Sequence, residues 1–154
     1  MKAVIQRVSH CTVTVDREIT GKIDKGFLIL LGIEKDDDRN EAEKLASKIF
    51  GLRVFTDEND KMNLSLSDID GSVLVVSNFT LCADCRHGKR PDFMNAARPE
   101  TAKPLYEYFC GLMNGMGVRN VECGIFGADM KVELLNDGPV TIIIDSKDLA
   151  DRKR

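Results

Sequence analysis

The residues best suited to chemistry fall in two short stretches. The first, Ser77-Asn78-Phe79-Thr80, closes an apolar run and leads into Cys82-Ala-Asp-Cys85-Arg86-His87-Gly88-Lys89-Arg90. The second, Asn136-Asp137-Gly138-Pro139, interrupts an otherwise apolar, β-branched run. A serine-hydrolase triad has no GxSxG turn to carry it, and only His10 and His87 to serve as its base. Cys82-x-x-Cys85 supplies half of a zinc site. Cys11, Cys110 and Cys123 are isolated, and the pair enters a Gly- and Pro-containing loop instead of opening a helix as redox pairs do. Incidental thiols are the favoured reading, and no metal or other cofactor is expected. Thr80 needs a neighbouring base to act as a nucleophile, and the sequence offers no obvious one. Backbone N–H groups around Phe79 and Thr80 can steady an oxyanion whatever their side chains. Arg86, Lys89 and Arg90 form either a solvated loop or a small phosphate-binding patch. Composition leaves the two balanced, and their place directly after the strand end speaks for phosphate. Pro139 fixes its own φ, donates no hydrogen bond and restricts Gly138, and an X-Pro bond adopts cis at modest cost. The plain reading of this stretch is a turn between two strands. The alternative is a rigid loop that aims backbone atoms at a ligand.

The chain that must position these groups has 154 residues, 43% of them hydrophobic and 31% charged. That is enough to bury a core without disulfides or metal, and it predicts one domain spanning residues 1–154. A net charge of −3 excludes an overall basic field for nucleic acid and leaves only local patches. "GFLILLGI" is too short to span a membrane, and "MKAVIQRVSHC" lacks the apolar stretch of a signal peptide. Five cysteines, an odd number, suit reduced thiols. Together these features predict a cytosolic protein with no membrane partner.

Hydrophobic periodicity supplies the elements. Residues 2–16 alternate, with a break at Ser9-His10, and predict a hairpin; "GKIDKG" is a turn-rich connector. "FLILLGI" (27–33) predicts a strand covered on both faces. Ala42, Leu45, Ala46, Ile49 and Phe50 share one helical face, with aspartates 36–38 as caps and Gly51 as the stop. "LRVF" predicts a short strand and residues 56–71 a polar surface excursion. "SVLVVSNFTL" (72–81) predicts a second buried strand. The irregular stretch that follows is long enough to be functional or mobile. A second helix carries Leu105, Phe109, Leu112, Met113 and Met116, with Pro104 tolerable only in its first turn. The last third predicts strand, turn, strand, turn, strand. The order ββ, β, α, β, β, α, βββ implies an α/β or α+β domain with helices on curved sheet layers, without the Gly-rich loop of a dinucleotide fold.

Two segments, "VSNFTLCADCRHGKRPDF" (76–93) and "GIFGADMKVELLNDGPVTIII" (124–144), resemble the D-aminoacyl-tRNA deacylases, the DTD family. "MKAVIQRV" and "PLYEYF" suit the same family, so the resemblance runs from end to end. It implies an α/β, three-layer fold with curved barrel-like sheets and two main helices. It also implies a cytosolic homodimer that cleaves the ester of D-aminoacyl-tRNA and of mischarged glycyl-tRNA. The family's Ser-Gln-x-Thr motif corresponds to Ser77, Asn78, Phe79 and Thr80, with asparagine where the family usually has glutamine. Its Gly-cis-Pro motif corresponds to Gly138 and Pro139, within the pattern Asn136 to Thr141. In the family this dipeptide reaches into the partner subunit's active site, where its carbonyl oxygens exclude the side chain of an L-amino acid. By the same resemblance the 2′-hydroxyl of the terminal ribose assists catalysis, and Arg7 holds the Gly-Pro loop. Phe126 lines the pocket for the terminal adenine, unless it is a core aromatic. Met130 supports the site, and Arg86, Lys89 and Arg90 meet tRNA phosphates. The alternatives are a non-catalytic dimeric module that binds RNA ends or nucleotides, and a Cys/His metal-binding protein.

Overall fold

β1 (Lys2–Val15) is the strand on which the sheet is organised. The computed structural model describes residues 1–150. Along one edge β1 pairs antiparallel with β8 (Lys131–Asp145) for nearly its whole length. Along the other it pairs first with β3 (Gly26–Gly32), through residues 2–8, and then with β2 (Glu18–Ile23), through residues 11–15. Beyond β3 the sheet continues in parallel through β6 (Ser72–Ser77) and β7 (Val121–Cys123). The result is a mixed, six-stranded sheet in the order β2-β1-β3-β6-β7, with β8 on the free side of β1. β4 (Phe55–Thr56) and β5 (Met62–Leu64) form a separate small ribbon within the polar excursion.

The sheet curls until β2 lies against the β6–β7 edge, giving a nearly closed barrel. Gly21 marks the approach. A Cβ there would stand 2.7 Å from Leu74 Cδ1 and 2.9 Å from the Cys123 carbonyl oxygen. Inside the curl Val8, Cys11, Val13, Ile23, Leu28, Leu74 and Val76 form one apolar cluster. The outer face carries the larger one, in which Ala3, Ile5, Phe27, Ile29 and Leu31 meet two helices. Helix α1 (Arg39–Phe50) begins at Asp38, whose carboxylate accepts from the Glu41 N–H at 3.1 Å, and buries Ala42, Leu45, Ala46 and Ile49. Helix α2 (Pro99–Gly115) buries Leu105, Tyr106, Phe109 and Met113. Neither is long and apolar enough to cross a membrane.

Four local expectations are corrected. The alternating segment does not fold back at Ser9-His10. β1 continues past it, with Ser9 as a one-residue irregularity in its pairing with β8, and the hairpin closes at Asp16-Arg17, both at positive φ as a tight primed turn requires. The second buried strand ends at Ser77 instead of Leu81, and Phe79–Cys82 forms one turn of 3₁₀ helix. α2 opens at Pro99, which places Pro104 in its second turn. Finally, Asn136–Pro139 does not separate two strands, because both flanks belong to β8.

The Gly21 contact carries an expected outcome. Gly21→Val overpacks the seam between β2 and β7 and lowers stability by about 1–3 kcal/mol in urea unfolding. An unchanged midpoint would show that the seam is loose.

Candidate functional site

β6 ends where its pairing with β3 ends. The last pair is Leu31 with Ser77, and the Asn78 N–H donates to the Leu31 carbonyl at 2.8 Å. The chain then bends into the 3₁₀ turn, where Leu81 N–H returns to the Asn78 carbonyl at 3.3 Å. That bend leaves the N–H groups of Phe79 and Thr80 without a partner among the described residues. The first residues of a helical turn have no intrahelical acceptor, so two adjacent donors face outward.

Phe79 lines a cavity of about 760 Å³ together with Ser77 and Asn78, and Thr80 is the next residue along the chain. The size suits a small ligand or the end of a larger one. β3 contributes Leu28 and Leu30, and β8 contributes Val132 and Leu134. Phe126 and Met130, both named from sequence, line it too. Phe126 packs against Tyr106 with ring centroids 5.9 Å apart, so it is both a cavity wall and an extension of the core. Among the lining residues that the sequence reading did not name are Gln6, Phe93 and Arg98. Gln6 carried a signal, a polar residue at an inward position of an alternating strand. Phe93 and Arg98 arrive through loop geometry that periodicity does not encode.

Thr80 stands beside the cavity without lining it. Its side chain is exposed, and its hydroxyl donates to Asn78 Oδ1. Both histidines are exposed and neither contacts it. Thr80 is therefore hydrogen-bonded to an amide oxygen, with no base in contact to activate it. The same bond engages the Asn78 amide oxygen.

The basic loop is more ordered than its composition suggests. Asp84 and Asp92 exchange backbone hydrogen bonds of 2.7 and 2.9 Å, which closes residues 84–92 into a small hairpin. Arg86 is committed to Asp84 through contacts of 2.5–3.0 Å. Those hydrogen bonds hold the Asp84 carboxyl down at about 2. Lys89 and Arg90 stay exposed at the tip. None of the three cations lines the cavity, but Phe93 at the stem packs edge-on against Phe79 at 5.1 Å and ties the hairpin to the rim. Cys82 and Cys85 have unlike surroundings. Cys85 is exposed, whereas Cys82 is buried against the Ile33 carbonyl, and burial pushes its thiol up to about 11.

The Gly-Pro stretch is a bulge. β1 and β8 register Val8 with Asn136 and Gln6 with Thr141, so residues 137–140 face Arg7 alone. The buried Arg7 guanidinium fills the space beneath. Its Nε donates to the Asp137 carbonyl at 3.0 Å, and Nη1 donates to the Val54 carbonyl at 2.7 Å and Thr56 Oγ1 at 3.4 Å. The Asp137 carboxylate lies 3.5 Å away. From above, Asn136 Nδ2 donates to the Arg7 carbonyl at 3.3 Å and the Val140 carbonyl at 3.1 Å, clasping the two ends of the bulge. Gly138 adopts φ +132°, and a Cβ there would meet Val140 at 2.8 Å and Arg7 Nη2 at 3.1 Å. The Gly138-Pro139 peptide is cis. Residues 137–139 are exposed, and neither Gly138 nor Pro139 lines the cavity of its own chain.

Residues 4–145 match the family model described as D-Tyr-tRNA(Tyr) deacylase. The chain is 58% identical over 147 residues to the D-aminoacyl-tRNA deacylase of Koribacter versatilis (strain Ellin345), covering 96% of this chain and 98% of that one. It is 56% identical over 148 residues to the protein of the same name from Thermus aquaticus, covering 96% and 97%. Among solved structures, one titled c-Myc DNA Unwinding Element Binding Protein superposes with a TM-score of 0.89 at 40% identity, covering 94% and 98%. A probable eukaryotic D-amino acid tRNA deacylase superposes at 0.81 with 12% identity, covering 93% and 97%, a likeness of fold.

Arg7 holds the bulge, and its removal should be measurable without substrate. Arg7→Ala strips charged donors from the Asp137 and Val54 carbonyls and is expected to cost about 1.5–3 kcal/mol in unfolding free energy. Amide exchange at Gly138 and Val140 should accelerate in the same variant. Wild-type stability and exchange would mean that the bulge holds its shape unaided.

Proposed function

The chain belongs to the D-Tyr-tRNA(Tyr) deacylase family, whose members are hydrolases of aminoacyl-tRNA esters, and we propose that it edits D-aminoacyl-tRNA and glycyl-tRNA mischarged on tRNA-Ala while rejecting L-aminoacyl-tRNA. The observation that carries this reading is the pair of unpartnered N–H groups at Phe79 and Thr80, the first of them on a residue that lines a cavity large enough for a small ligand or the end of a larger one. An aminoacyl ester is already activated. What it needs is a fixed position and donors aimed where the carbonyl oxygen gains charge. The two N–H groups are those donors. The terminal ribose 2′-hydroxyl assists the attack of water, which removes the need for a side-chain base. Thr80 positions the substrate amine or the water and is not the nucleophile. Asn78 acts through its backbone and its bond to Thr80, so the shorter amide is tolerated.

Phe126, backed by Tyr106, stacks on the terminal adenine, and Met130 completes that wall. Arg86, Lys89 and Arg90 meet phosphates further along the tRNA. The chiral filter is the Gly138-Pro139 bulge of a second copy. Its exposure, and its separation from the cavity of its own chain, support a homodimer with an active site shared between subunits. The exposed Leu135 and Ile143 on β8 support the same arrangement. Fixed carbonyl oxygens beside the α-carbon refuse an L side chain, and glycine passes because it has none. Residues 1–154 act as one deacylase domain in the cytoplasm.

Catalytic amounts of protein should release D-amino acid and glycine from charged tRNA and leave the matched L-ester intact. Comparable rates on both enantiomers would end the chiral-filter reading, and stoichiometric binding without release would favour a non-catalytic RNA-end binder.

The oxyanion role can be isolated by comparing Phe79→Pro with Phe79→Ala, because both lose the ring and only proline loses the N–H. Proline is expected to lower kcat by a further factor of about 10²–10³. Equal rates would remove Phe79 N–H from the mechanism. Thr80→Ala should retain turnover within about tenfold, whereas loss of an obligatory nucleophile costs on the order of 10⁴ or more.

A further inference from the structure

Two cysteines that the sequence leaves isolated meet in the fold. Cys110 lies on α2 and Cys123 on β7, and their Sγ atoms are 3.3 Å apart. We propose that Cys110 and Cys123 form a redox-modification site at which hydrogen peroxide converts the dithiol to a disulfide joining α2 to β7. A covalent S–S bond is about 2.05 Å long, so the two sulfurs have roughly 1.2 Å to travel to form it. Both residues are only half-buried, which leaves a small oxidant a path.

The contact itself couples the two thiols: Cys123 S–H donates to Cys110 Sγ, so one sulfur shares the proton of the other. The sulfur that is ionised attacks and its neighbour resolves. In the first step that thiolate attacks one oxygen of hydrogen peroxide. The O–O bond breaks, and the departing hydroxide takes up a proton as water, leaving a sulfenic acid. In the second, the neighbouring sulfur attacks the sulfenic sulfur, the S–O bond breaks, and a second water leaves with the thiol proton. Two thiols lose two electrons in all, and the peroxide is reduced to two waters.

The other three cysteines form an internal contrast. Cys11 and Cys82 are buried, and burial pushes both thiols up to about 11. Cys85 is exposed but has no thiol beside it. The pair also borders the cavity wall. Tyr106, one turn before Cys110, donates its hydroxyl to the Val75 carbonyl at 2.7 Å and packs on Phe126, and Val75 is the strand partner of Cys123. A bond between α2 and β7 thus ties together the two elements behind that wall.

The test uses the full chain, reduced and then freed of reductant. It is treated with hydrogen peroxide, alkylated, digested and mapped by mass spectrometry. The expected product is a Cys110–Cys123 linked peptide, with reactive thiols after denaturation falling by two from the five of the sequence. Cys110→Ser should block the link and trap the sulfenic acid, seen as a dimedone adduct on Cys123. Cys85→Ser should leave the link unchanged. Oxidation confined to Cys85, with Cys110 and Cys123 both recovered as alkylated thiols, would overturn the proposal. So would a dimedone adduct in Cys110→Ser on any cysteine but Cys123.

Discussion

The architecture of the site depends on a mismatch between two strands. β1 and β8 pair along their shared length except at two neighbouring irregularities: Ser9 of β1 is one extra residue between the Val8 and His10 pairs, and, far larger, four residues of β8 face the single residue Arg7 of β1. A mismatch of that size in a central pair would ordinarily leave backbone groups unpaired and a hole beneath them. Arg7 resolves both problems. Its planar guanidinium reaches two carbonyls and a hydroxyl that lie in different directions, a geometry that lysine, with its compact point charge, does not reproduce. The charge stays acceptable in a buried place because every contact is an oxygen, and the Asp137 carboxylate stands nearby. Asn136 then fixes the two ends of the bulge from the other side. The bulge is held at its base by these bonds while its tip remains exposed.

Strand alternation extends the consequence. Neighbouring residues of a strand point to opposite faces, so Gln6 lines the cavity while Arg7 supports the bulge on the far side. One strand thus builds a ligand wall and a projecting loop back to back. The same geometry keeps the loop away from its own cavity, and the proposed cross-subunit filter follows from it: a second copy supplies what the first directs outward. β8, paired on one side only and carrying exposed apolar residues, is the natural seam for such a pairing.

The elements that depend on local pattern were legible in the sequence. The apolar face at Ala42, Leu45, Ala46 and Ile49 and its aspartate cap identified α1, and the unbroken apolar run identified β3 as a strand buried on both sides. The candidate residues Ser77 to Thr80 were singled out by motif, and the change from apolar to polar marked them as near a strand end, which is where β6 stops. What was not legible depends on partners. Asp-Gly-Pro between two apolar runs looks the same whether the flanks pair with each other or both pair with a third strand, and only the second arrangement makes a bulge. The end of β6 was misplaced for a similar reason: Phe79 to Cys82 continue the apolar pattern, but β3 has no residues left to pair with them. The thiols give the clearest case. Spacing singled out Cys82 and Cys85, one buried and one exposed, whereas the sulfurs in contact belong to Cys110 and Cys123, brought together by the packing of α2 on β7.

The proposed selectivity follows from using backbone where most sites use side chains. A pocket that tells substrates apart by filling or leaving a methyl-sized space gains only about one to three kcal/mol, and flexible walls reduce that further. Discrimination between mirror images needs a surface that does not yield when the wrong side chain presses on it. Carbonyl oxygens meet that requirement when their segment is tied at both ends, and the guanidinium and amide bonds at residues 7 and 136 do the tying. The wrong enantiomer then meets a steric clash and also desolvates an oxygen it has no donor to satisfy. The proposed catalysis is equally sparing. In that proposal two backbone donors and a hydroxyl of the substrate itself leave no titratable side chain that must be kept in one protonation state, so discrimination and reaction would both rest on rigid geometry. Both proposals depend on strands held in register on either side of the Arg7 bulge.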